Sequence, residues 1–331
     1  MNSLLTKKFP FAAVSLLFVL GMSCSKEPIA KESDTDQNVH QWEDSVINGD
    51  ATMSRMMFSV GNAMNVEREE TTRGSSATDG QSYTFDADEL ITIGVNSTYR
   101  ASEETKNYKV TNTSTGALSY NGTATDAFVW KSASETISLR AWSYGDTSTT
   151  TSDPVGQEYT LRTDQSIGYG ELLYAAAANY DYATYKTGIG ITLSHMLSRV
   201  VINVSYDSGS SLTSIKIGDG TMTLPTKATF SPENAKKWTG IGNQTAEITP
   251  KTETANSCYS AVLIPTTYTS GSKLLNIIIG DETFSYILGS NMELLAGNQY
   301  NFSVKVKNRQ VTFTVIVTAW TTDSRNITFS L

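Results

Sequence analysis

Residues 300–318 read Tyr-Asn-Phe-Ser-Val-Lys-Val-Lys-Asn-Arg-Gln-Val-Thr-Phe-Thr-Val-Ile-Val-Thr, and this stretch carries the main signal for the fold. Two runs rich in Val, Thr and aromatic residues, 300–306 and 311–318, flank a short polar segment. Side chains of this kind fit the half-buried surface of a sheet, and polar residues between two such runs mark a turn. The stretch therefore predicts two successive β-strands.

The same pattern of composition extends from this stretch over most of the chain. Similar short runs, separated by Gly, Asn, Asp and Ser, cover residues 90–95, 107–111, 127–130, 136–142, 158–162, 172–176, 191–204, 212–217, 228–230, 258–264, 274–280 and 283–288. Helix-length amphipathic patterns are almost absent. Many short strands at this spacing predict an all-β fold, built as a sandwich or a barrel.

Length and one change in composition suggest how the chain is divided. The 331 residues are enough for two domains or for one large β domain. The apolar run 191–204 gives way to polar residues at 207–211, and we predict a domain boundary there. Residues 53–205 would form an N-terminal β-sandwich domain, and residues 206–331 would form a C-terminal one.

The N-terminus has the features of an export signal. A pair of lysines precedes an uncharged stretch, residues 9–20, that is too short to cross a bilayer, and small residues lead to Cys24. The residues before Cys24 resemble the lipobox of bacterial lipoproteins, in which this cysteine is acylated. The resemblance implies a lipoprotein signal peptide over residues 1–23, and the polar residues 24–52 would form a flexible tether. An ordinary cleaved signal is the alternative.

Composition limits the partners of the protein. The net charge of −8 argues against nucleic acid. If Cys24 carries lipid, Cys258 has no intramolecular partner, so no disulfide is expected. No segment after the signal approaches the length of a membrane helix, so the lipid would be the membrane anchor.

A catalytic or metal site has little support in the sequence. The two histidines are His40, in the tether, and His195, in an apolar context that favours a hydrogen-bonded structural role. The acidic residues 86–89 lack the spacing of a calcium loop, so we predict a solvated turn. No nucleotide, zinc or nucleophile motif is present. We predict no cofactor, no metal and no enzymatic activity, with a glycosidase built from two distant carboxylates as a minor alternative.

Tryptophan side chains can stack on sugars when they are exposed. Trp130, Trp142 and Trp320 fall within or at the end of strand patterns, which favours core packing. Trp238 follows two lysines, and we predict that it is exposed. A surface lipoprotein that binds glycans and does not polymerise is therefore the alternative from another functional class.

Residues 53–80 combine a strand pattern with a polar loop. Met56, Phe58 and Val60 alternate with less apolar neighbours, which predicts one half-buried strand. The polar, charged residues 65–80 follow it. Exposed loops of this kind are where proteolysis concentrates.

Residues 294–304 read Leu-Leu-Ala-Gly-Asn-Gln-Tyr-Asn-Phe-Ser-Val and precede a strand pattern that ends near Trp320. This arrangement resembles the C-terminal domain signature of the fimbrillin-like proteins of Bacteroidales, the subunits of type V pili. Residues 171–175 and 193–201 also resemble segments of that family. Together with the lipobox and Arg73, these motifs cover nearly the whole chain in the expected order.

The resemblance implies that the two tandem domains of the chain would be transthyretin-like sandwiches with Greek-key connections. It also implies how the chain would mature. A trypsin-like, Arg-specific protease would cut the lipoprotein precursor between Arg73 and Gly74, with Arg68 and Arg55 as competing sites. The cut would remove residues 53–73, which contain the first strand.

The resemblance also implies how the subunit would polymerise. A strand from a neighbouring subunit would fill the groove left by the first strand and so build a filament. Ile327, Phe329 and Leu331 alternate with polar residues, which suits a donated strand and equally suits the last strand of its own domain. The implied partners are other fimbrial subunits, the protease, the outer membrane through the lipid, and a host or bacterial surface glycan. The predicted function is a structural or adhesive subunit of a cell-surface fimbrium.

Overall fold

The computed structural model describes residues 54–61, 85, 87–113, 116–144, 152–207, 211–307, 310–320 and 327–329. The signal peptide and tether predicted over residues 1–52 lie outside these ranges. The same is true of four residues predicted as sites: Cys24, Arg73, Gly74 and Leu331.

Strands dominate the described residues, and helix is limited to a 3₁₀ turn, Ala124–Asp126, and one short α-helix, α1 (Tyr182–Tyr185). The strands of the first half are β1 (Phe58–Gly61), β2 (Leu90–Asn96), β3 (Glu104–Asn112), β4 (Ala117–Tyr120), β5 (Thr136–Ser143), β6 (Glu158–Thr160), β7 (Leu173–Asp181), β8 (Ile189–Thr192), β9 (Ser194–His195) and β10 (Ser198–Tyr206). The strands of the second half are β11 (Leu212–Ile217), β12 (Lys227–Phe230), β13 (Trp238–Thr239), β14 (Lys251–Thr254), β15 (Cys258–Leu263), β16 (Thr267–Tyr268), β17 (Lys273–Ile279), β18 (Glu282–Ile287), β19 (Met292–Glu293), β20 (Asn298–Lys307), β21 (Gln310–Ala319) and β22 (Ile327–Phe329). The predicted all-β fold class is confirmed. Within the described ranges, no helix has the length and apolar character needed to span a bilayer.

These strands form five sheets across the described residues. The largest has eight strands in the order β8-β1-β4-β3-β2-β5-β7-β9, and the second has six in the order β14-β15-β10-β20-β21-β22. Two sheets have three strands each, β11-β17-β18 and β13-β12-β6, and β16 pairs with β19. Neighbouring strands are antiparallel except that β1 runs parallel to β8 and β10 runs parallel to β20.

The alternation of buried and exposed side chains explains why these segments form strands. In β20, Phe302, Val304 and Val306 are buried, whereas Lys305 and Lys307 are exposed. Successive side chains of a strand point to opposite faces of the sheet, so one face enters the core and the other meets water. The mixture of apolar and polar residues in 300–318 therefore reflects a strand with one face in the core and the other in solvent.

The buried apolar residues form two clusters. One is built on the eight-stranded sheet and includes Phe58 and Trp130. The other is built mainly on second-half residues such as Phe302, but Tyr159 and Val200 from the first half belong to it as well. All the described residues fall in one unit of the chain, Asp44–Leu331. The division into two domains after residue 205 stays a prediction.

Two strand predictions are wrong in their extent. Residues 127–130 form no ladder, and only Val129 makes an isolated bridge, to Arg55. The run 191–204 is divided among β8, β9 and β10, which pair with β1, β7 and β15 respectively. Hydrophobic periodicity cannot show where a chain changes its pairing partner, and this is the physical reason for the error.

Candidate functional site

The first strand lies inside the largest sheet rather than at its edge. β1 pairs antiparallel with β4, where Phe58 is opposite Leu118, and parallel with β8, where Phe58 is next to Ile189. The backbone of β1 therefore takes part in ladders on both sides. Because β8 pairs with no other strand among the described residues, β1 is also the strand that joins β8 to this sheet.

The backbone of residues 128–130 extends this interface beyond β1. The Met56 amide donates to the Phe128 carbonyl at 2.9 Å, and the Trp130 amide donates to the Ser54 carbonyl at 3.1 Å. We call the surface formed by β4, β8 and residues 128–130 the strand seat.

Side chains of the first strand alternate between core and surface. Met56, Phe58 and Val60 are 2%, 4% and 1% exposed, whereas Met57 is 49% exposed. The alternation of buried and exposed side chains predicted from the period of two is confirmed over residues 56–60, although β1 itself begins at Phe58. The three buried side chains are apolar anchors that hold the segment in the strand seat.

Phe58 occupies a pocket with aromatic walls. Its ring centroid lies 5.1 Å from that of Tyr108 and 6.2 Å from that of Phe128, with interplanar angles of 78° and 79°. These are edge-to-face contacts, the arrangement that aromatic pairs favour. The Tyr108 hydroxyl accepts from the Phe128 amide at 3.0 Å, and burial raises the pKa of this hydroxyl because its phenolate would lose hydration. We call the rings of Tyr108 and Phe128 the aromatic pocket.

A buried ion pair supports one wall of the strand seat. The Arg100 Nη2 donates to the Val129 carbonyl at 2.7 Å, and its Nε lies 3.2 Å from a carboxylate oxygen of Glu135. Neither side chain of this pair is exposed. Glu135 also accepts from the Lys131 amide at 2.5 Å. These contacts do not involve the first strand, so they would hold the wall in place without it.

Gly116 brings the turn before β4 close to the first strand. Its φ of 67° lies in the left-handed region that favours glycine. The Val60 amide donates to the Gly116 carbonyl at 2.8 Å. A Cβ atom on Gly116 would lie 1.7 Å from the Val60 carbonyl oxygen, so a side chain here is incompatible with a strand in the seat.

A second buried polar cluster joins motifs that are far apart in the sequence. Nδ1 of His195 contacts a carboxylate oxygen of Glu171, and both side chains are buried. The His195 ring stacks on Trp320 with centroids 3.9 Å apart, and the Trp320 amide donates to the Gly297 carbonyl at 2.6 Å. The predicted hydrogen bond of His195 is confirmed, and its structural role stays a prediction.

Arg199 extends this cluster to β14. It forms an ion pair with Glu253 at 3.2 Å, and its guanidinium carbon lies 5.8 Å from the Trp320 ring centroid. Tyr169 and Ser260 donate hydrogen bonds to Glu253. Burial alone would raise the pKa of the Glu253 carboxyl, but the hydrogen bonds from Ser260 and Tyr169 and the nearby cations lower it below its usual value. Groups that bind one another in this way are typical of a structural cluster.

The tryptophan predictions have different outcomes. Trp130, Trp142 and Trp320 are buried, as predicted. The prediction that Trp238 is exposed is wrong, because its side chain is buried and its Nε1 donates to the Met196 carbonyl at 2.6 Å. The two lysines before it precede β13, and the charge of these lysines does not determine whether the next side chain points to the core or to solvent. The aromatic platform suggested for sugar binding at Trp238 is therefore absent.

The acidic residues near β2 have structural partners. Asp86 lies outside the described residues, and Asp88 lies in a turn with a salt bridge to Lys109 at 3.2 Å. Glu89 is buried and accepts from the Ser143 hydroxyl at 3.1 Å. In the part of the chain that the structure describes, no group of three or more His, Cys, Asp or Glu side chains is arranged to hold a metal ion.

Of the predicted donor residues, Ile327 and Phe329 lie in β22, at the edge of the six-stranded sheet, and Leu331 lies outside the described residues. β22 pairs antiparallel with β21, where Ile327 is opposite Val317 and Phe329 is opposite Val315. Among the described strands it has a ladder on one side, in contrast to β1. Its donation to another subunit stays a prediction.

Three residues that support or adjoin the strand seat were not predicted from the sequence: Arg100, Glu135 and Gly116. One signal for Gly116 was available, because it ends the polar run Thr-Ser-Thr-Gly between two strand patterns. For Arg100 and Glu135 no local signal exists, since an ion pair between distant residues leaves no periodic pattern.

Known proteins share this architecture. A model of the fimbrillin-like family matches residues 72–320. The crystal structure of a candidate cell adhesion protein from Bacteroides uniformis matches with a TM-score of 0.60 at 15% identity, covering 84% of this chain and 100% of that one. A second, from Bacteroides ovatus, gives a TM-score of 0.61 at 15% identity, covering 83% and 100%. No curated protein matches the chain. At this identity the two crystal structures show a shared fold.

Proposed function

Because the chain belongs to the fimbrillin-like family, we propose that it is a fimbrial subunit that polymerises when a strand from another subunit replaces its first strand. It is exported as a lipoprotein acylated on Cys24 and is exposed on the outer membrane. An Arg-specific protease then cuts between Arg73 and Gly74. The role in the fimbrium is structural or adhesive, and not enzymatic.

The observation that carries this proposal is the position of β1 in its sheet. β1 ends at Gly61, before Arg73, so a cut after Arg73 leaves it attached to the rest of the fold only by non-covalent contacts. Its departure would free one edge of β4 and one edge of β8 together. Unpaired strand edges bind other strands, so the vacated seat would be an acceptor.

The energetics of the vacated seat favour replacement. Burial of each apolar anchor, Met56, Phe58 and Val60, contributes about 1.5–3 kcal/mol. Loss of the strand would expose the aromatic pocket to water and leave two backbone ladders without partners. A strand with apolar side chains at alternate positions would restore both the burial and the ladders.

The alternative of a non-polymerising glycan-binding lipoprotein has lost its specific support. That alternative depended on an exposed aromatic platform, and Trp238 is buried. It also depended on a first strand that is not removable, whereas β1 precedes a polar, Arg-containing segment. Polymerisation is therefore the function that the geometry supports best.

The test is the N-terminus and intact mass of the protein from its own cell surface, before and after mild trypsin treatment. We expect a chain that begins at Gly74 and forms ladders that resist SDS. The Arg73→Gln variant should keep its acylated Cys24 and stay monomeric in cells, whereas Arg68→Gln, the matched control, should mature normally. A parent chain that still begins at acylated Cys24 and stays monomeric after trypsin would overturn the proposal.

A further inference from the structure

A cavity of about 510 Å³ opens in the eight-stranded sheet between β7 and β8. β9, which follows β8 in the chain, pairs antiparallel with the start of β7. Away from that short ladder the strands separate, because β7 continues beside β5 and β8 lies beside β1. We call this cavity the sheet cleft. We propose that it binds a neutral sugar of a surface glycan, an inference that rests on the proposed function because it assigns a ligand class to the adhesive role.

The register of the short ladder shows that the cleft is an opening between two strand edges. Tyr174 lies opposite Ser194. The same antiparallel register, continued, would place Ala176 opposite Thr192, and both of these residues line the cleft instead. Among the described residues, β8 and the part of β7 beyond Tyr174 each have a ladder on one side only. Backbone N–H and C=O groups without a ladder partner therefore border the cleft on both sides.

The two ends of the cleft exclude an added strand. One end is closed by the ladder between β7 and β9, and the other by α1 and the residues that join it to β8. The second closure is fixed, since Asp181 accepts from the Thr184 amide at 2.9 Å and the Tyr182 amide donates to the Glu135 carbonyl at 3.0 Å. A compact ligand can enter from solvent, and the volume lies in the range of small-molecule pockets, about 300–1,000 Å³.

The cleft combines an apolar floor with a polar border. Leu139 and Ile191 line it and are buried. Residues 175–177 are alanines and Gly190 has no side chain, so a ligand can reach the backbone groups of both strands. A sugar ring has the same division, with apolar C–H groups on its faces and hydroxyl groups around its edge. Because each hydroxyl both donates and accepts hydrogen bonds, it can pair with N–H and C=O groups alike.

Two charged side chains at one end of the cleft add further hydrogen-bonding groups. Glu233 and Lys237 line it from the turn between β12 and β13. Nζ of Lys237 donates to the Pro232 carbonyl at 2.7 Å, and within the described ranges neither charged side chain forms an ion pair, whereas Lys236 pairs with Glu293. A sugar hydroxyl can donate to the carboxylate and accept from the ammonium group, and such charge-assisted hydrogen bonds are strong. The opposite charges offset each other, which favours a neutral ligand.

The turn that carries these two side chains is ordered by its own backbone. The Ser231 amide donates to the Lys237 carbonyl at 2.9 Å, and the Lys237 amide donates to the Asn234 carbonyl at 2.9 Å. Lys237 has a φ of 67°, a conformation that is uncommon for residues other than glycine. The next residue, Trp238, is buried and anchors the turn. Groups that are already fixed lose little conformational freedom when a ligand binds.

Saturation-transfer NMR on the uncut full-length chain tests the ligand class. The probes are the methyl glycosides of glucose, galactose, mannose, fucose and N-acetylglucosamine, each titrated separately. We expect at least one of them to bind saturably with a Kd of about 1 mM or lower. If none binds at concentrations up to about 10 mM, the proposal is overturned.

Matched substitutions test the position of the site. Ala176→Leu puts a large side chain into the cleft and should weaken binding by at least about tenfold. Ala178→Leu, at an exposed position of the same strand outside the cleft lining, should leave the Kd unchanged. Lys237→Gln should weaken binding about tenfold because a charge-assisted hydrogen bond is lost, whereas Lys236→Gln should not. The Tm of each variant establishes that it folds. Unchanged affinity in both Ala176→Leu and Lys237→Gln would refute the assignment of the site.

Two comparisons complete the test. Tighter binding of methyl glucuronide than of methyl glucoside would mean that the cleft recognises an acidic sugar, which contradicts the proposal. Polymerisation is measured separately on the cut chain, without sugar. SDS-resistant ladders from a chain that binds no glycoside would overturn this inference alone, whereas a chain that binds a glycoside and forms no ladder would support it and overturn polymerisation.

Discussion

Replacement of Phe58 by alanine would empty the aromatic pocket in the uncut chain. Phe58 is buried and makes edge-to-face contacts with Tyr108 and Phe128. Replacement of a buried phenylalanine by alanine costs about 3–5 kcal/mol, and the loss of two ring contacts places this site near 4 kcal/mol. Whole domains are stable by only about 5–15 kcal/mol, so the effect should be large.

Urea-induced unfolding of the uncut chain measures this loss. With a slope of about 3 kcal/mol per molar urea, a loss of about 4 kcal/mol lowers the midpoint by about 1.3 M. Met57→Ala is the matched control, since the Met57 side chain is half exposed and its removal should change the free energy of unfolding by less than about 0.5 kcal/mol. The proposed cut after Arg73 removes both residues, so under the proposed function the ladders of the cut chain should be equally stable in the parent and in both variants.

Two results would refute the reasoning. A loss below about 1 kcal/mol in the uncut Phe58→Ala chain would mean that Phe58 is not an anchor of the first strand. A weaker ladder from the cleaved Phe58→Ala protein would mean that β1 stays in the assembled subunit and is not replaced.

Three further substitutions test other parts of the structure. Gly116→Ala should weaken both the uncut chain and the ladder, because its Cβ would lie 1.7 Å from the Val60 carbonyl oxygen; a ladder of normal lifetime would contradict this. Arg100→Met leaves the Glu135 carboxylate buried without its cation, so urea unfolding should show a loss of about 3–5 kcal/mol, and adding Glu135→Leu should restore part of it. Glu253→Gln should make the free energy of unfolding fall less steeply in acid. Because the pKa of Glu253 is lowered in the folded state, the ionised carboxylate contributes its full stabilisation above the pKa of the unfolded chain. That stabilisation is lost as the pH falls through the pKa of the folded state. Equal losses in Glu253→Gln and the parent between about pH 6 and pH 3 would argue against that contribution.

The positions of most strands could be predicted because their signal is local. The predicted run 212–217 coincides with β11, and the predicted run 136–142 ends one residue before the end of β5. In each case the alternation of side chains is set by residues two apart in the chain, and this period is visible without knowledge of any partner strand. Residues 127–130 have a similar composition but form a single bridge, between Val129 and Arg55, because the length of a ladder depends on how far a distant segment stays alongside.

The strand seat could be predicted only in part. The buried positions Met56, Phe58 and Val60 follow from the period of two. The pocket that receives Phe58 could not be predicted, because Tyr108 and Phe128 are distant in the sequence and meet only in the folded sheet.

The amino-acid sequence by itself determined that the chain is all-β, that the first strand buries one face, and that the chain resembles the fimbrillins. Each of these depends on the order and spacing of neighbouring residues. Only the tertiary structure decided that β1 lies between β4 and β8, that Trp238 is buried and that Arg100 pairs with Glu135. The physical reason is that these features depend on which distant segments pack together, and that choice is made by the burial and hydrogen bonding of the core as a whole.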